Sequence, residues 1–342
     1  MVVEYVLFII GICFLVKGAD WIVNGASLMA RRFGVSNLII GLTIVAIGTS
    51  LPELTVGIFS VIKGNSGIVF GNIIGANIAD VLLVLGVTAI IRKVDVKTET
   101  VWKQIPFAIL AAFILFLFSS ETIFGLERTE LTFVEGFLFV ALLVYFLYSV
   151  AQMSKREKKN GEGSLNFDLI SNIWSMVNVE KKVKGLKNRF NHFDWKVFGK
   201  FVVGVLMIYF GGRWVVSGAS FIAMQFGLSS FLISATIVSL GTTLPEFAVS
   251  VFATIRGKVD MAVGNILGST VFNIFGVLGI CAIVKPMVIP NFIYIDVAIM
   301  FFALLLLFVF MFTGKNHSLR RKDGVVFVLF YILYIVYLVF RG

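Results

Sequence analysis

An all-α membrane protein of ten transmembrane helices, arranged as two inverted five-helix repeats, is the fold class predicted by three observations. The first is composition: of 342 residues 59% are hydrophobic and only 14% charged, with a mean hydropathy of +0.99. That is more apolar surface than a soluble chain of this length can bury in a core. The second is a string of apolar runs long enough to cross about 30 Å of hydrocarbon. The third is an internal repeat: Trp21 to Glu53 aligns without a gap on Trp214 to Glu246, 18 of 33 residues being identical at a constant offset of 193.

The spans are expected at roughly 3–29, 36–62, 68–91, 104–119, 131–151, 197–222, 229–255, 261–284, 292–313 and 324–340. All are read as helices, because the runs are too long for barrel strands and lack their alternation. The first lacks a basic leader region and carries Glu4 instead, so it reads as a span and not as a cleaved signal peptide. The same offset carries Gly71-Asn72-Ile73-Ile74-Gly75 onto Gly264-Asn265-Ile266-Leu267-Gly268 and Val84-Leu85-Gly86 onto Val277-Leu278-Gly279. The organisation is therefore a first repeat at 1–151, a basic linker at 152–196 and a second repeat at 197–342. Five spans per repeat is an odd number, so the second copy enters the membrane from the opposite side. Inverted repeats of this kind place a binding site near mid-bilayer, where interrupted helices of the two halves meet.

Orientation follows from Lys and Arg, which are retained on the cytoplasmic side. With the linker inside, alternate connections hold 23 of the 29 basic residues, and both termini fall outside. Topology and anionic headgroups account for the net charge of +10, which is then no argument for a nucleic-acid partner.

The chemistry lies in a paired motif. Gly48-Thr49-Ser50-Leu51-Pro52-Glu53 recurs as Gly241-Thr242-Thr243-Leu244-Pro245-Glu246, each inside an apolar span. A carboxylate at mid-bilayer costs roughly 2.5–3.5 kcal/mol on insertion scales, so such acids normally mark an ion or proton path. Proline removes the helical donor of the carbonyl four residues earlier and clashes with it. Each helix is expected to break there, freeing carbonyls around Ala46 to Gly48 and around Ser239 to Gly241. Freed carbonyls must face protein, water or a cation. Thr49 and Glu53, like Thr242 and Glu246, are spaced i, i+4 on the face of the break. The next span adds a polar stripe at i, i+4, i+8: Asn72, Ala76 and Asp80 in one copy, Asn265, Ser269 and Asn273 in the other. Asp80 is a third intramembrane acid, expected to face the same cavity as Glu53 and Glu246.

Carboxylates, hydroxyls, amide oxygens and carbonyls form an oxygen-only donor set, which hard cations prefer. Ca²⁺ takes six to eight such ligands in flexible geometry. Three acids need neutralising by Ca²⁺, by several Na⁺ or by protons, and competition for the same carboxylates makes exchange possible. Only a neutralised site crosses a closed, low-dielectric intermediate readily. A cation channel is the competing reading. An enzyme is not expected, because no nucleophile stands beside a general base and two His build no metal cluster.

The paired Gly-Thr-Ser/Thr-Leu-Pro-Glu segments, each followed by Gly-Asn-x-x-Gly, resemble the repeats of the Na⁺/Ca²⁺ exchanger family, in the cation/Ca²⁺ antiporter group, prokaryotic type. The resemblance extends over all ten spans. It implies a secondary antiporter working by alternating access, with long first and sixth helices that slide across the rest. Position by position, it implies that Glu53 and Glu246 bind both Ca²⁺ and Na⁺. Thr49, Ser50, Thr242 and Thr243 are then hydroxyl ligands, and Ala46 and Ser239 supply backbone carbonyls. Asp80, Ser269 and Asn273 come from the following helices. In the archaeal pattern Ser stands at both middle stripe positions, Asn ends the first stripe and Asp the second. This chain has Ala76 in place of one hydroxyl and exchanges acid and amide between Asp80 and Asn273. H⁺ or K⁺ coupling is the alternative.

No cofactor is expected besides the transported Ca²⁺ and Na⁺, and no obligate protein partner; a cell membrane is the expected location. Cys13 and Cys281 lie in apolar runs and are expected as small buried hydrophobes. Lys17 and Asp20, three apart, are expected to form a local ion pair or to snorkel. An amphiphilic piece near 165–179 in the linker is expected on the inner membrane surface.

Overall fold

The computed structural model describes residues 2–95, 100–119, 130–159, 195–226, 241–290, 293–313 and 317–341. The chain runs α1 (Val2–Phe33), α2 (Asn37–Thr49), α3 (Leu51–Ile62), α4 (Ser66–Ile91), α5 (Trp102–Ser119) and α6 (Phe133–Lys159), then α7 (Trp195–Gln225), α8 (Leu244–Ile255), α9 (Val259–Val284), α10 (Ile293–Thr313) and α11 (Arg321–Arg341). Among the described residues eight helices are long and apolar enough to cross a membrane, or nine when α2 and α3 count as one bent span. The expected seventh span, 229–255, is described only from Gly241 onward, and most of the expected linker also lies outside the described residues.

Helices dominate because hydrocarbon offers the backbone no other hydrogen-bond partners. The described spans are helical as expected, and four two-residue strands stand in the connections between them. β1 (Val94–Asp95) pairs antiparallel with β4 (Ser318–Leu319), and β2 (Glu130–Leu131) with β3 (Met287–Val288). At the repeat offset β1 corresponds to β3, so each half lends this strand to the other. Gly64 and Gly257, also repeat-related, both turn left-handed (φ 81° and 74°) to end α3 and α8. The residue after each bonds five back, Asn65 N to Ser60 O at 2.9 Å and Lys258 N to Ala253 O at 2.8 Å. Only glycine takes that turn without strain.

The two halves interlock through glycines. Along α1 and α7, Gly11 meets the carbonyl of Gly211 and Gly18 that of Gly204, while Gly218 meets Glu4. The paired numbers sum to a constant, so these repeat-related helices run antiparallel. Any Cβ on Gly11 or Gly18 would stand 2.8 Å from the facing carbonyl oxygen. Gly86 of α4 packs on Gly324 of α11, and its repeat mate Gly279 of α9 packs on Gly136 of α6. On the other side Gly264 and Gly268 of α9 press against the backbone of α2 at Leu38 and Leu42. Around them a continuous apolar core runs through α4, α5, α6, α9, α10 and α11. The α1–α7 pair forms a second, smaller core with α2, α8 and the start of α9.

Two local expectations change. Asp20 pairs with Arg256, just after α8, at 2.9 Å and accepts from Asn24 at 2.8 Å, so its partner is not Lys17, which is exposed. Cys281 is buried but Cys13 lies on the outer face of α1, where apolar surface meets lipid instead of core. Arg213, the repeat mate of Asp20, lies over the ring of Tyr209.

Candidate functional site

A bent helix in the first half and the start of α8 in the second carry the polar residues of the paired motif. Between α2 and α3 the axis bends by 42°. Ser50 sits at the break with φ −88° and ψ 7°, and Pro52 occupies the first turn of α3, where a missing N–H costs nothing. Glu53 follows in the same turn. In the second half Thr243 caps α8, with Pro245 and Glu246 again in its first turn. Both carboxylates thus lie at the positive end of a helix dipole. The expectation of freed carbonyls holds for Gly48, whose helical donor would be residue 52, a proline. It fails for Ala46, whose carbonyl keeps its bond from Ser50 N (3.0 Å) and also accepts from Thr49 Oγ1 (3.2 Å). A carbonyl accepts through two lone pairs, so the helix break frees less here than proline position alone suggests.

The structure brings residues of the two halves together. Ser50 Oγ donates to Glu246 Oε1 at 3.3 Å, and the single Thr49 hydroxyl proton is shared between the Ala46 carbonyl and Asn265 Oδ1, each at 3.2 Å. Asn265 in turn donates to Ser250 Oγ at 3.1 Å. Asn273 Nδ2 donates to Asn77 Oδ1 at 3.1 Å, and Asn77 Nδ2 to Met300 Sδ at 3.6 Å. Glu53 repels both Glu246 and Asp80, and Asp80 repels Glu246, which places the three acids in one electrostatic neighbourhood. Asp80 and Asn273 occupy equivalent places, each in the first turns of a π-helical segment (Asp80–Val84 and Phe272–Leu278). Such widened turns recur at functional sites.

Of the expected site residues, Glu53, Glu246, Asp80, Thr49, Ser50, Thr243, Ser269, Asn273 and Ala46 are all buried, and Thr242 is half-buried. Ser239 lies outside the described residues. Asn72 is half-buried, at the edge of its stripe. Sequence reasoning missed Asn77 and Ser250; each is fully buried and bonded within this network. Asn77 lies one residue off the i, i+4, i+8 stripe, and its partner is 196 residues away.

Nine buried oxygens of the expected set have no hydrogen-bond partner among the described residues: both of Glu53, both of Asp80, Glu246 Oε2, the hydroxyls of Thr242, Thr243 and Ser269, and Asn273 Oδ1. A buried polar atom left unpaired costs about 1–3 kcal/mol, more if charged. No Lys or Arg pairs with these three acids among the described residues. No three His, Cys, Asp or Glu there come close enough to hold a metal ion unaided. Hydroxyl and amide oxygens must therefore complete any cation shell, which suits the flexible coordination of Ca²⁺. Beside the site a cavity of about 260 Å³ opens between α1, α7, the α2–α3 bend and the start of α8, lined by Ile22, Thr49, Pro52, Tyr209 and Pro245 among others.

Comparison with known proteins agrees with this arrangement. The family described as sodium/calcium exchanger protein matches residues 3–153 and 196–340. The sodium/calcium exchanger MaX1 of Methanosarcina acetivorans is 32% identical over 345 residues, covering 96% of each chain. The inner membrane protein YrbG of Escherichia coli is 29% identical over 288 residues, covering 84% of this chain and 81% of its own. Among solved structures, the sodium-calcium exchanger NCX_Mj soaked with zero Na⁺ and Ca²⁺ superposes with a TM-score of 0.74 at 29% identity, covering 98% of this chain and 99% of that one.

Proposed function

Because this chain belongs to the sodium/calcium exchanger family, a family of multi-pass cation/Ca²⁺ antiporters, we propose that it exchanges Na⁺ for Ca²⁺ by alternating access. The single observation that carries this reading is that Glu53, Glu246 and Asp80 are all buried, feel one another's charge and pair with no cationic side chain among the described residues. A triple negative charge in low dielectric needs a compensating cation. One Ca²⁺ or several Na⁺ would satisfy the same oxygens, so the two cargoes exclude each other. The proposed ligands are Glu53, Glu246 and Asp80, with Thr49, Ser50, Thr242, Thr243, Ser269 and Asn273 and the carbonyl of Ser239; the Ala46 carbonyl joins them when the Thr49 hydroxyl turns away from it. No further cofactor is needed for this chemistry.

Ten spans in two inverted repeats is the architecture that goes with it. The antiparallel α1–α7 pairing of repeat-related helices supports it, as does the exchange of strands between halves. β1 and β4 stand in connections that the charge distribution puts inside, and β2 and β3 in connections it puts outside, with both termini outside. In this frame the α2–α3 bend and the start of α8 are related by an axis in the membrane plane, and rocking of one part against the other would expose the site to either side. The cavity beside Thr49 and Pro245 is the proposed approach to it.

The test is Ca²⁺ uptake into vesicles holding the purified protein, under Na⁺, K⁺ and H⁺ gradients imposed in turn. Uptake driven by outward Na⁺ alone is expected. Uptake driven by H⁺ or K⁺ instead would transfer the coupling to that ion, and Ala76, with no hydroxyl opposite Ser269, is the reason to include those arms. Ca²⁺ entry without any counter-ion gradient would indicate a channel.

A further inference from the structure

At the repeat-related positions 80 and 273 the two halves differ in kind: one presents a carboxylate, the other an amide. A carboxylate offers an acceptor oxygen whichever way it rotates. An amide has one acceptor and one donor end, and a half-turn about its last bond would present an N–H to a cation and repel it. An amide ligand therefore needs something to hold its orientation, and a carboxylate does not.

That something is on the opposite half. Asn273 Nδ2 donates to Asn77 Oδ1 at 3.1 Å, and Asn77 Nδ2 is directed at Met300 Sδ at 3.6 Å. A thioether sulfur accepts and never donates, so Met300 fixes which end of Asn77 faces it, and Asn77 then presents its oxygen to Asn273. With its donor end committed, Asn273 is left with Oδ1 buried and free of any hydrogen-bond partner among the described residues. Asn77 and Asn273 are both essentially inaccessible to solvent, so water does not compete for these contacts. The relay joins α10, α4 and α9, and its middle member lies one turn before Asp80 on the same helix. We infer that Asn77 is a positioning residue for cation binding: with Met300 behind it, Asn77 holds the Asn273 amide with its oxygen toward the cation. This rests on the exchange-site reading above and adds to it an orientation device that the acid at position 80 does not require.

A double-mutant cycle on the full-length protein tests it, with Ca²⁺ affinity measured by calorimetric titration of the purified transporter and melting temperature measured without Ca²⁺. Asn77→Leu removes the orienting acceptor, and Asn273→Asp removes the need for one. In the native background Asn77→Leu is expected to weaken Ca²⁺ binding about tenfold. In the Asn273→Asp background the same change is expected to alter it less than twofold, because coupled sites fail additivity. A merely structural Asn77 would lower the melting temperature in both backgrounds and shift affinity equally in both, and that result overturns the inference. So does unchanged affinity in the native background. Asn77→Ala runs through the same cycle if the leucine variant does not fold. Wild-type protein that binds no Ca²⁺ overturns the exchange-site reading itself, whereas wild-type binding with no coupling between positions 77 and 273 overturns only the orienting role.

Discussion

Glu53 and Glu246 each stand one residue past a proline, in the first turn of a short helix, fully buried. A carboxylate within about 5 Å of a cation contributes about 3 kcal/mol per unit of cation charge at an effective dielectric of 20. Glu53→Gln or Glu246→Gln is therefore expected to reduce Na⁺-driven Ca²⁺ uptake at least 100-fold, while the purified protein keeps its helical circular dichroism. Retained uptake in either variant would count against a shared site. Asp80→Asn removes the same charge from the third corner. Because Coulomb attraction doubles for a divalent ion, it is expected to weaken Ca²⁺ on the order of tenfold more than Na⁺; equal losses for both would remove Asp80 from ion discrimination. The carboxylates were legible at this scale because no apolar helix tolerates them without reason. Asn77 was not, since a single buried amide in a glycine-rich helix carries no signal until its partner 196 residues away is known.

Breaks and close crossings decide how the elements behave. Pro52 leaves the Gly48 carbonyl without its helical donor, and an interior proline costs a helix about 3 kcal/mol. Pro52→Ala is expected to raise the melting temperature, by letting α2 and α3 join, and to slow exchange about tenfold by carrying Glu53 out of register with Glu246. A variant that becomes more stable and transports normally would make the 42° bend a packing feature only. At the α1–α7 crossing the side chain of Gly18→Val would collide with the Gly204 carbonyl, 2.8 Å from where a Cβ must stand. Overpacking of this kind costs about 1–3 kcal/mol, and the expected result is a lower melting temperature together with slower exchange. The break was legible from proline chemistry, and its consequence for Ala46 was not, because Ser50 still reaches that carbonyl. The glycines of α1 and α7 were visible in the chain, but the sum rule that pairs them is a property of two helices already side by side.

For the whole molecule, inversion predicts that tags at both ends are labelled from outside intact cells, with linker sites near 159 and 195 labelled only after permeabilisation. Labelling of the two termini from opposite sides would contradict an even number of spans. Protons neutralise the same carboxylates that hold Ca²⁺, and a protonated carboxyl no longer attracts a cation. Uptake is thus expected to fall as pH drops from neutral to mildly acidic, measured at fixed Na⁺ gradient, and an unchanged rate would exclude proton competition.

The sequence by itself determined that the chain lives in a membrane, that it is a duplication, and that acids and prolines coincide in both copies, because hydropathy, repeat offset and local helix chemistry are all written along the chain. It carried Glu53, Glu246 and the hydroxyls beside them for the same reason. Only the tertiary structure decided which half completes which site. Ser50 bonding Glu246, Asn273 turning to Asn77, Asp20 choosing Arg256 over Lys17 and Cys13 facing outward are contacts between segments distant in sequence or choices of helix face. Periodicity specifies a face of a helix, and what that face meets is settled only when the helices pack.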